Sequence, residues 1–297
     1  MNDDNKMSRR EAIKRMGTAV AGAAIMLSGI PTLSSCGGRK KRIVFFFTAT
    51  GNCLYVARQL SEDLVSIPQA MKQGKLSFEA DEIGLVVPTY EGAPPEMVKR
   101  FLAKATLKAD YLFAVITYGM NHTSVVDEFR KAARHGGKAF SYIRTMTMVD
   151  NYLPGFDMDE QKKMKRDEKG QIARIKADID ARKRWTEPVT ADDRKLRAWA
   201  LENLGQLLPA RCEDLFMVTG ACVSCGFCER VCPRGNYSLA DGIASCKGDC
   251  EYCLACIHNC PQKAITLQAD EKNPNARYRH PGITLADIVM SNSQKEV

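Results

Sequence analysis

The hydrophobic positions between residues 42 and 154 follow two alternating patterns. Short continuous apolar runs predict buried strands, and the stretches between them carry apolar residues at the spacing of an amphipathic helix. Continuous apolar strands separated by helices are typical of a parallel sheet that is covered on both faces. The pattern therefore predicts an α/β domain with a doubly wound parallel sheet. The four clearest predicted strands are Ile43–Phe47, Ile83–Val87, Tyr111–Thr117 and Ala139–Met148.

The pattern changes in the next part of the chain. From Asp157 to Ala200 strand patterning is absent, and Ile172, Ile175 and Ile179 recur at helical spacing. This predicts two or three helices, one of which is expected to cover the open edge of the sheet. We interpret residues 155–211 as a helical connector. Residues 269–297 are interpreted as a tail that is able to wrap back over the first domain.

Residues 1–36 have the pattern of a targeting segment. A twin arginine, Arg9-Arg10, precedes a weakly apolar run, Gly17–Ile30, which is shorter than the roughly 20 residues of a membrane span. Leu33-Ser34-Ser35-Cys36-Gly37 resembles a bacterial lipobox, whose cysteine carries lipid in the mature protein. The resemblance implies twin-arginine export to the cell envelope and a lipid anchor at Cys36 on the extracytoplasmic side of the membrane. An uncleaved amphipathic anchor and an accidental Arg-Arg pair are the alternatives.

Composition and charge exclude one class of partner. The chain has 297 residues, 26% of them charged, and a formal net charge of +8, which fits an ordinary globular protein of about two domains. Residues 160–197 hold thirteen Lys/Arg and eight Asp/Glu, so most of the excess charge lies in the mixed-charge connector. Nucleic-acid surfaces instead combine a basic patch with interleaved aromatics. We therefore expect no nucleic-acid partner, and interpret the connector as a solvated helix face or as a docking surface for an acidic redox partner.

The cysteines predict metal chemistry. The run from Cys222 to Cys232-Pro233 recurs from Cys250 to Cys260-Pro261, giving two copies of C-x2-C-x2-C-x3-C-P. This spacing predicts two [4Fe-4S] clusters. Structural zinc is one alternative, although zinc sites rarely combine a third cysteine at this spacing with Cys-Pro. Disulfides are the other, and they would leave the repeat unexplained.

The spacing also predicts how the two motifs share their ligands. Each short loop turns three thiolates inward, and the fourth cysteine, one helical turn later, reaches the neighbouring cluster. Cys212 and Cys246 are interpreted as small buried residues outside both sets, and His258 as a solvent-facing or hydrogen-bonding residue. The predicted sets are Cys222, Cys225, Cys228 and Cys260, here the first site, and Cys250, Cys253, Cys256 and Cys232, here the second site.

The repeat resembles that of bacterial two-cluster ferredoxins. The resemblance covers about residues 215–267 and implies a small α+β ferredoxin domain, which we place at residues 212–268.

A turn with anion-binding character follows the first predicted strand. Thr48-Ala49-Thr50-Gly51-Asn52-Cys53 directly precedes a predicted helix, so backbone N–H groups and hydroxyls meet at a helix N-terminus. The segment resembles the T-x-T-G-x-T loop of flavodoxins, which holds the FMN phosphate. Cys53 departs from that pattern and replaces a hydroxyl with a weak thiol donor.

Two later loops also follow predicted strands, at the edge where open α/β sheets bind ligands. We interpret Tyr90 and Tyr118 as candidates for ring stacking, with ordinary half-buried tyrosines as the alternative, and Gly92 and Gly119 as positions where the flavin ring approaches the backbone. The flavodoxin resemblance thus implies FMN as cofactor. The implied binding residues are Thr48, Thr50, Gly51, Asn52, Cys53, Thr89, Tyr90, Gly92, Tyr118 and Gly119.

The segment Val149–Pro154 resembles the exit from this domain in fused flavodoxin–ferredoxin proteins. The whole resemblance, from residue 42 to the C-terminus, implies a membrane-anchored electron-transfer protein that passes electrons between two [4Fe-4S] clusters and FMN, with redox proteins as partners. The alternatives are an FMN-dependent reductase of a small extracytoplasmic substrate and a redox-sensing or assembly module. The sequence carries no nucleophile–base pair and no dinucleotide fingerprint, so an electron carrier is favoured over a substrate-specific enzyme.

Overall fold

The computed structural model describes residues 40–203, 208, 210–239 and 242–295. The predicted leader, with Arg9, Arg10 and Cys36, lies outside these residues. Within these ranges, no helix has both the length and the apolar character that crossing a membrane requires.

The first domain is built from strands and helices that alternate along the chain. Its strands are β1 (Arg42–Phe46), β2 (Asp63–Ser66), β3 (Ser77–Glu79), β4 (Glu82–Pro88), β5 (Thr106–Lys108), β6 (Tyr111–Tyr118), β7 (Tyr142–Thr147) and β8 (Trp185–Thr186). Its helices are α1 (Asn52–Leu60), α2 (Ile67–Gln73), α3 (Glu96–Lys104), α4 (Val125–His135), α5 (Met158–Lys163), α6 (Glu168–Asp180) and α7 (Ala191–Asn203).

The main sheet has the order β2-β1-β4-β6-β7-β8, and every neighbouring pair is parallel. Counted within this sheet, the first five strands have the order 2-1-3-4-5, which is that of flavodoxin-like folds. Strands β4 and β6 are buried along nearly their whole length, as expected for a sheet covered on both faces. Helix α1 contacts α6, and α3 contacts α4. The predicted flavodoxin-like α/β fold is therefore confirmed for this domain.

The connector contributes more to this domain than the sequence indicated. Helix α6 buries Ile172, Ile175 and Ile179 in the main core and contacts β7 and α1, so a connector helix does pack on the sheet, whose edge is formed by the next strand, β8. The expectation that the connector holds no strand was wrong. Trp185 and Thr186 form β8, parallel to β7, because the Trp185 ring packs on Tyr142 with the Arg144 guanidinium 4.7 Å from its centroid.

The cysteine-rich domain, residues 210–239 and 242–267, consists of very short elements. Antiparallel pairs join β10 to β14, β11 to β12 and β9 to β13. This is an α+β arrangement, as predicted, and its identity as a ferredoxin domain stays a prediction. The elements are β9 (Ala210–Arg211), α8 (Cys212–Leu215), β10 (Phe216–Val218), α9 (Phe227–Val231), β11 (Tyr237–Ser238), β12 (Ser245–Cys246), β13 (Asp249–Cys250), α10 (Ala255–His258) and β14 (Ile265–Leu267).

The C-terminal tail joins the two domains. Its helix, α11 (Leu285–Asn292), contacts α2 of the first domain and α9 of the second. The Asn292 Nδ2 group donates to the carbonyl oxygens of Thr48 (2.9 Å) and Val231 (3.1 Å), one in each domain. The tail therefore wraps back over the first domain, as the sequence allowed.

Candidate functional site

A cavity of about 440 Å³ opens at the carboxyl ends of β1, β4 and β6. This volume lies within the range of about 300–1,000 Å³ that is usual for cofactor sites. Residues of all three predicted loops form its wall. Gly51 belongs to the first loop but does not line the cavity. The other nine predicted flavin residues all line it: Thr48, Thr50, Asn52, Cys53, Thr89, Tyr90, Gly92, Tyr118 and Gly119.

Helix α1 begins directly after a turn that depends on Gly51. This residue has φ +101°, in the left-handed region, and its amide donates to Thr48 Oγ1 at 3.2 Å. No side chain caps α1, and its first turn carries no acidic residue. The N-terminal amides of the helix therefore keep their positive potential, which suits an anion.

The C-terminal tail packs against this turn. A side chain at Gly51 would place its Cβ 2.8 Å from Ile283 Cβ, so the tail packs directly on the glycine. The amide of His280 donates to the Thr50 carbonyl at 2.8 Å. The Thr48–Asn52 turn is thus held between the sheet and a segment more than two hundred residues away in sequence.

Cys53 lies where the flavodoxin pattern has a hydroxyl residue. Its buried thiol is 3.1 Å from Thr117 Oγ1, at the end of β6. Burial raises the pKa of Cys53 to about 12, so it remains a neutral thiol at ordinary pH. The Cys53 side chain therefore forms a packed, uncharged part of the cavity wall.

The two candidate stacking rings are both half-buried in the wall. Tyr90 meets Phe47 edge-on with centroids 6.4 Å apart, and Tyr118 meets His122 edge-on at 5.2 Å. Their stacking role stays a prediction.

The two loop glycines accommodate protein atoms. At Gly119 an added Cβ would lie 2.1 Å from Asp150 Oδ2, and at Gly92 it would lie 2.3 Å from Thr123 Oγ1. The missing side chains therefore let neighbouring loops close around the cavity. The direct approach of a flavin ring to Gly92 and Gly119 stays a prediction.

Part of the wall was missed by the sequence interpretation. Asn151 follows β7, and its Nδ2 group donates to Thr50 Oγ1 at 2.7 Å. The exit segment Val149–Pro154 could have indicated this, because it follows a parallel strand whose carboxyl end lies at the same edge. Distant elements contribute as well: Arg197, Ala200 and Leu201 of α7, and Tyr252 and Leu254 of the cysteine-rich domain. No local signal marks these residues.

The first-site cysteines lie together. Burial, followed by the charges of Cys260 and Cys225, raises the pKa of Cys228 to about 12. Burial also raises the pKa of Cys225, and Cys260 and Cys222 raise it further. Cys260 comes from the other motif, as in the crossed sets, which stay a prediction.

The second-site cysteines line one small cavity, and Cys232 is again the member taken from the other motif. Burial and the neighbouring Cys232 raise the pKa of Cys250 to about 12. The second-site cysteines on this wall are Cys232, Cys250, Cys253 and Cys256.

In each of the two motifs, a backbone amide donates to the sulfur of the last cysteine. The amide of Asn236 lies 3.4 Å from Cys232 Sγ, and the amide of Ala264 lies 3.3 Å from Cys260 Sγ. Both amides come four residues after the last cysteine of their motif. The two halves of the repeat thus adopt equivalent turns.

No three His, Cys, Asp or Glu side chains of the described ranges converge as a single metal ion requires. A zinc ion would hold each of its sulfur ligands at a Zn–S distance of about 2.3 Å, around one point. A [4Fe-4S] cluster binds each thiolate to a different iron, so its ligands need not meet at one point. Iron binding at both sites stays a prediction.

Cys212 and Cys246 form a disulfide, with Cα atoms 5.8 Å apart. The sequence interpretation had both as small buried residues and did not predict their pairing; Cys212 is buried and Cys246 is half-buried. Cys212 also lines the second-site cavity. The bond encloses the whole first motif between its ends.

The loop from Cys250 to Leu254 separates the large cavity from the second site. Leu254 lines both cavities, and Tyr252 lines the larger one. The buried Glu251 carboxylate accepts from the Met97 amide at 3.1 Å, at the start of α3. This loop is therefore anchored directly to the first domain.

The second cysteine motif also contacts the end of the large cavity that the Thr48–Cys53 turn forms. His258, which is buried, has its Nε2 atom 2.8 Å from the Asn151 carbonyl and accepts from the Tyr278 amide at Nδ1. The Asn259 amide group donates to the Ala49 carbonyl at 3.2 Å. His258 is thus a hydrogen-bonding residue, one of the two predicted roles.

Comparison with known proteins gives limited matches. No protein-family model matches the chain, and no curated protein matches it. Among solved structures, a flavoprotein in complex with FMN from Lactobacillus acidophilus NCFM has 17% identity and a TM-score of 0.26, covering 36% of this chain and 93% of that chain. The Trp repressor binding protein from Bacillus subtilis has 11% identity and a TM-score of 0.28, covering 36% and 85%. Similarity at this level adds nothing to what the strand order itself establishes.

Proposed function

We propose that this chain is an electron-transfer flavoprotein that binds FMN in the large cavity and a [4Fe-4S] cluster at each cysteine site. The observation that carries the proposal is the shared wall: one loop, from Cys250 to Leu254, borders both the cavity and the second site. Tyr90 supports the same adjacency, since burial and then the charge of Cys253 raise the pKa of this cavity-lining residue.

The residues of the large cavity fit FMN. The uncapped N-terminus of α1 and the Thr48–Asn52 turn suit the phosphate, and the sheet edge suits a flat ring between Tyr90 and Tyr118. A second phosphate would need a dinucleotide fingerprint, which the sequence lacks. FMN is therefore favoured over FAD.

The cysteine sites fit iron–sulfur clusters through the chemistry of their donors. All eight motif cysteines are free thiols. Burial raises the pKa of several of them, so these thiols ionise only when a cationic centre compensates the charge. The backbone amides near Cys232 and Cys260 donate to sulfur, which is how proteins tune such clusters.

The second site shares a wall with the cavity through the Cys250–Leu254 loop. None of the first-site cysteines lines the cavity, and both Cys222 and Cys225 are partly exposed. Met217, in the neighbouring strand β10, is 50% exposed. We infer that a redox protein partner approaches the first site and that the second site faces the flavin.

Bound flavin would exchange one or two electrons, and each cluster one. The chain holds the three groups in fixed relative positions through Glu251, His258 and Asn292, which join the domains. It also excludes water from the second site, whose Cys253 and Cys256 are buried.

We also propose that the protein is exported by the twin-arginine route and anchored by lipid at Cys36, on the extracytoplasmic side. The Cys212–Cys246 disulfide supports this, because disulfides persist in oxidising compartments.

The test is anoxic purification followed by flavin, iron and sulfide analysis and electron paramagnetic resonance of Cys232→Ser and Cys260→Ser. Loss of Cys232 should damage the second-site signal and spare the first, and loss of Cys260 should do the reverse. Cys53→Ser is the matched control, since it changes a buried free cysteine outside both sets, and iron should be unchanged.

Absence of iron and sulfide from the anoxic protein would refute the cluster proposal. FAD at full occupancy would refute the assignment of FMN, and damage to the first-site signal in Cys232→Ser would refute the crossed sets.

A further inference from the structure

One buried hydroxyl at the second site has no nitrogen or oxygen acceptor in the described part of the chain. The Tyr237 side chain is 3% exposed and lines the small cavity with Cys232, Cys250, Cys253 and Cys256. Its hydroxyl has no nitrogen or oxygen hydrogen-bond partner among the described residues. A buried hydroxyl without a partner costs free energy, so its presence in the wall of a ligand cavity calls for an acceptor inside that cavity.

The surroundings identify the nearest acceptor. The Cys256 thiol is the first sulfur whose charge affects Tyr237, followed by those of Cys228 and Cys232. The Tyr237 side chain also hydrogen-bonds with the Cys256 sulfur, and a phenol O–H remains a donor at ordinary pH. The Tyr237 hydroxyl therefore faces sulfur atoms.

The internal repeat gives a comparison within the chain. Tyr237 comes five residues after Cys232, and Ile265 comes five residues after Cys260. Both side chains are buried, and each lies in a short antiparallel strand pair of the cysteine-rich domain. Ile265 has no polar hydrogen to donate. The two halves of the repeat therefore differ at this position by one hydroxyl donor.

We propose that Tyr237 is a tuning residue that donates a hydrogen bond to sulfur at the second site and gives the cluster there a higher reduction potential than the cluster at the first site. The inference rests on the proposed function. A donor to sulfur stabilises the more negative, reduced form of a cluster, and hydrogen bonds to sulfur are among the factors that set cluster potentials. Electrons then collect at the site beside the flavin pocket.

The experiment is a redox titration of the anoxic holoprotein, monitored by electron paramagnetic resonance, with Tyr237→Phe and Tyr142→Phe. Tyr142→Phe is the matched control, because it also removes a buried hydroxyl, one that bonds to Asp178 far from either site. The signals are assigned to the sites with Cys225→Ser and Cys253→Ser. Tyr237→Phe should move the second-site midpoint potential to a more negative value and leave the first-site potential and the iron content unchanged.

A second variant keeps the test decisive if Tyr237→Phe loses iron. Tyr237→Ile reproduces the residue of the other half of the repeat, and it should bring the two potentials closer together. Unchanged second-site potentials with full iron content in either variant, or an equal shift at both sites or in Tyr142→Phe, would overturn the proposal. Wild-type protein without cluster signals would instead refute the proposed function, so the two failures are distinguishable.

Discussion

Gly51 is the residue on which the candidate flavin pocket depends most. Its φ of +101° is disfavoured for any residue with a Cβ, and the space beside it is already filled by Ile283. A larger residue would therefore have to move either the tail or the turn. Since the turn carries the amides that face the anion, displacement there disrupts ligand binding before it disrupts the sheet.

Gly51→Val should lower the affinity for FMN at least about tenfold, because each lost charge-assisted hydrogen bond costs about 1.5–3 kcal/mol. Fluorescence titration of the flavin-depleted protein with FMN measures this. Gly74→Val is the matched control: Gly74 also has positive φ, at +67°, but has no atom within 4 Å of the added Cβ. Equal loss of affinity in both variants would mean that backbone strain alone, rather than the turn, is responsible.

At the scale of single residues, the sequence predicted the residues of local motifs better than the residues that reach the site from distant elements. The cysteine spacing and the Thr48–Cys53 turn are local patterns, so they could be interpreted without a structure. Arg197 and Tyr252 line the cavity only because distant elements converge on it, and no local pattern encodes that. The Cys212–Cys246 pair was missed for the same reason, since pairing depends on where α8 and β12 meet.

Helix α11 is the element that couples the tail to the first domain. It begins with a capping box in which Thr284 and Asp287 bond reciprocally. The Asp287 carboxylate also accepts from Arg58 Nη2 of α1, at 2.6 Å. One carboxylate therefore both starts the helix and docks it against the helix whose N-terminus faces the pocket.

Asp287→Asn should lower the free energy of unfolding by about 1 kcal/mol or more, since it weakens the cap and removes the charge that pairs with Arg58. Burial alone would raise the pKa of Asp287, but hydrogen bonds from Arg58 and Thr284 outweigh it and hold the pKa below its ordinary value of 3.8. A lowered pKa in the folded state stabilises at pH values above the unfolded pKa and is lost as the pH falls through the folded one.

The difference between wild type and Asp287→Asn should therefore be the same at pH 7 and pH 5, and shrink only below pH 3.8. Denaturant unfolding at each pH measures it. Asp192→Asn is the control, because its pair with Lys195 is highly exposed and contributes little. A difference that already disappears between pH 7 and pH 5 would contradict the lowered pKa.

The predictable elements were those with strong periodicity. All four predicted strands are present, with bounds shifted by no more than a few residues, and α6 was expected from its three isoleucines. The two-residue strand β8 was not, since so short an element has no period of its own. It exists because the Trp185 ring has Tyr142 and Arg144 to pack against.

At the scale of the whole molecule, the disulfide relates the fold to its proposed location. Cys212 and Cys246 are 34 residues apart, and a closed loop of that length stabilises a folded chain by between about 3 and 4.7 kcal/mol. Their sulfurs belong to neither cysteine site, so cluster binding does not require the bond. A protein that receives its clusters in a reducing cytoplasm and is exported folded would therefore acquire the disulfide last.

Exported and retained forms of the chain should then differ in the oxidation state of these two cysteines. In exported protein, Cys212 and Cys246 should resist alkylation. In Arg9→Lys/Arg10→Lys protein, which the leader prediction retains in the cytoplasm, both should be alkylated, and mass spectrometry of the labelled peptides measures this. Iron content should be equal in the two forms, and denaturant should unfold the retained form earlier, because it lacks the constraint of the closed loop. Cys212→Ser/Cys246→Ser protein is the control, since its unfolding should not depend on whether it is exported. A disulfide in the retained form, or iron lost together with the disulfide, would contradict a bond that forms after export and lies outside both cysteine sites.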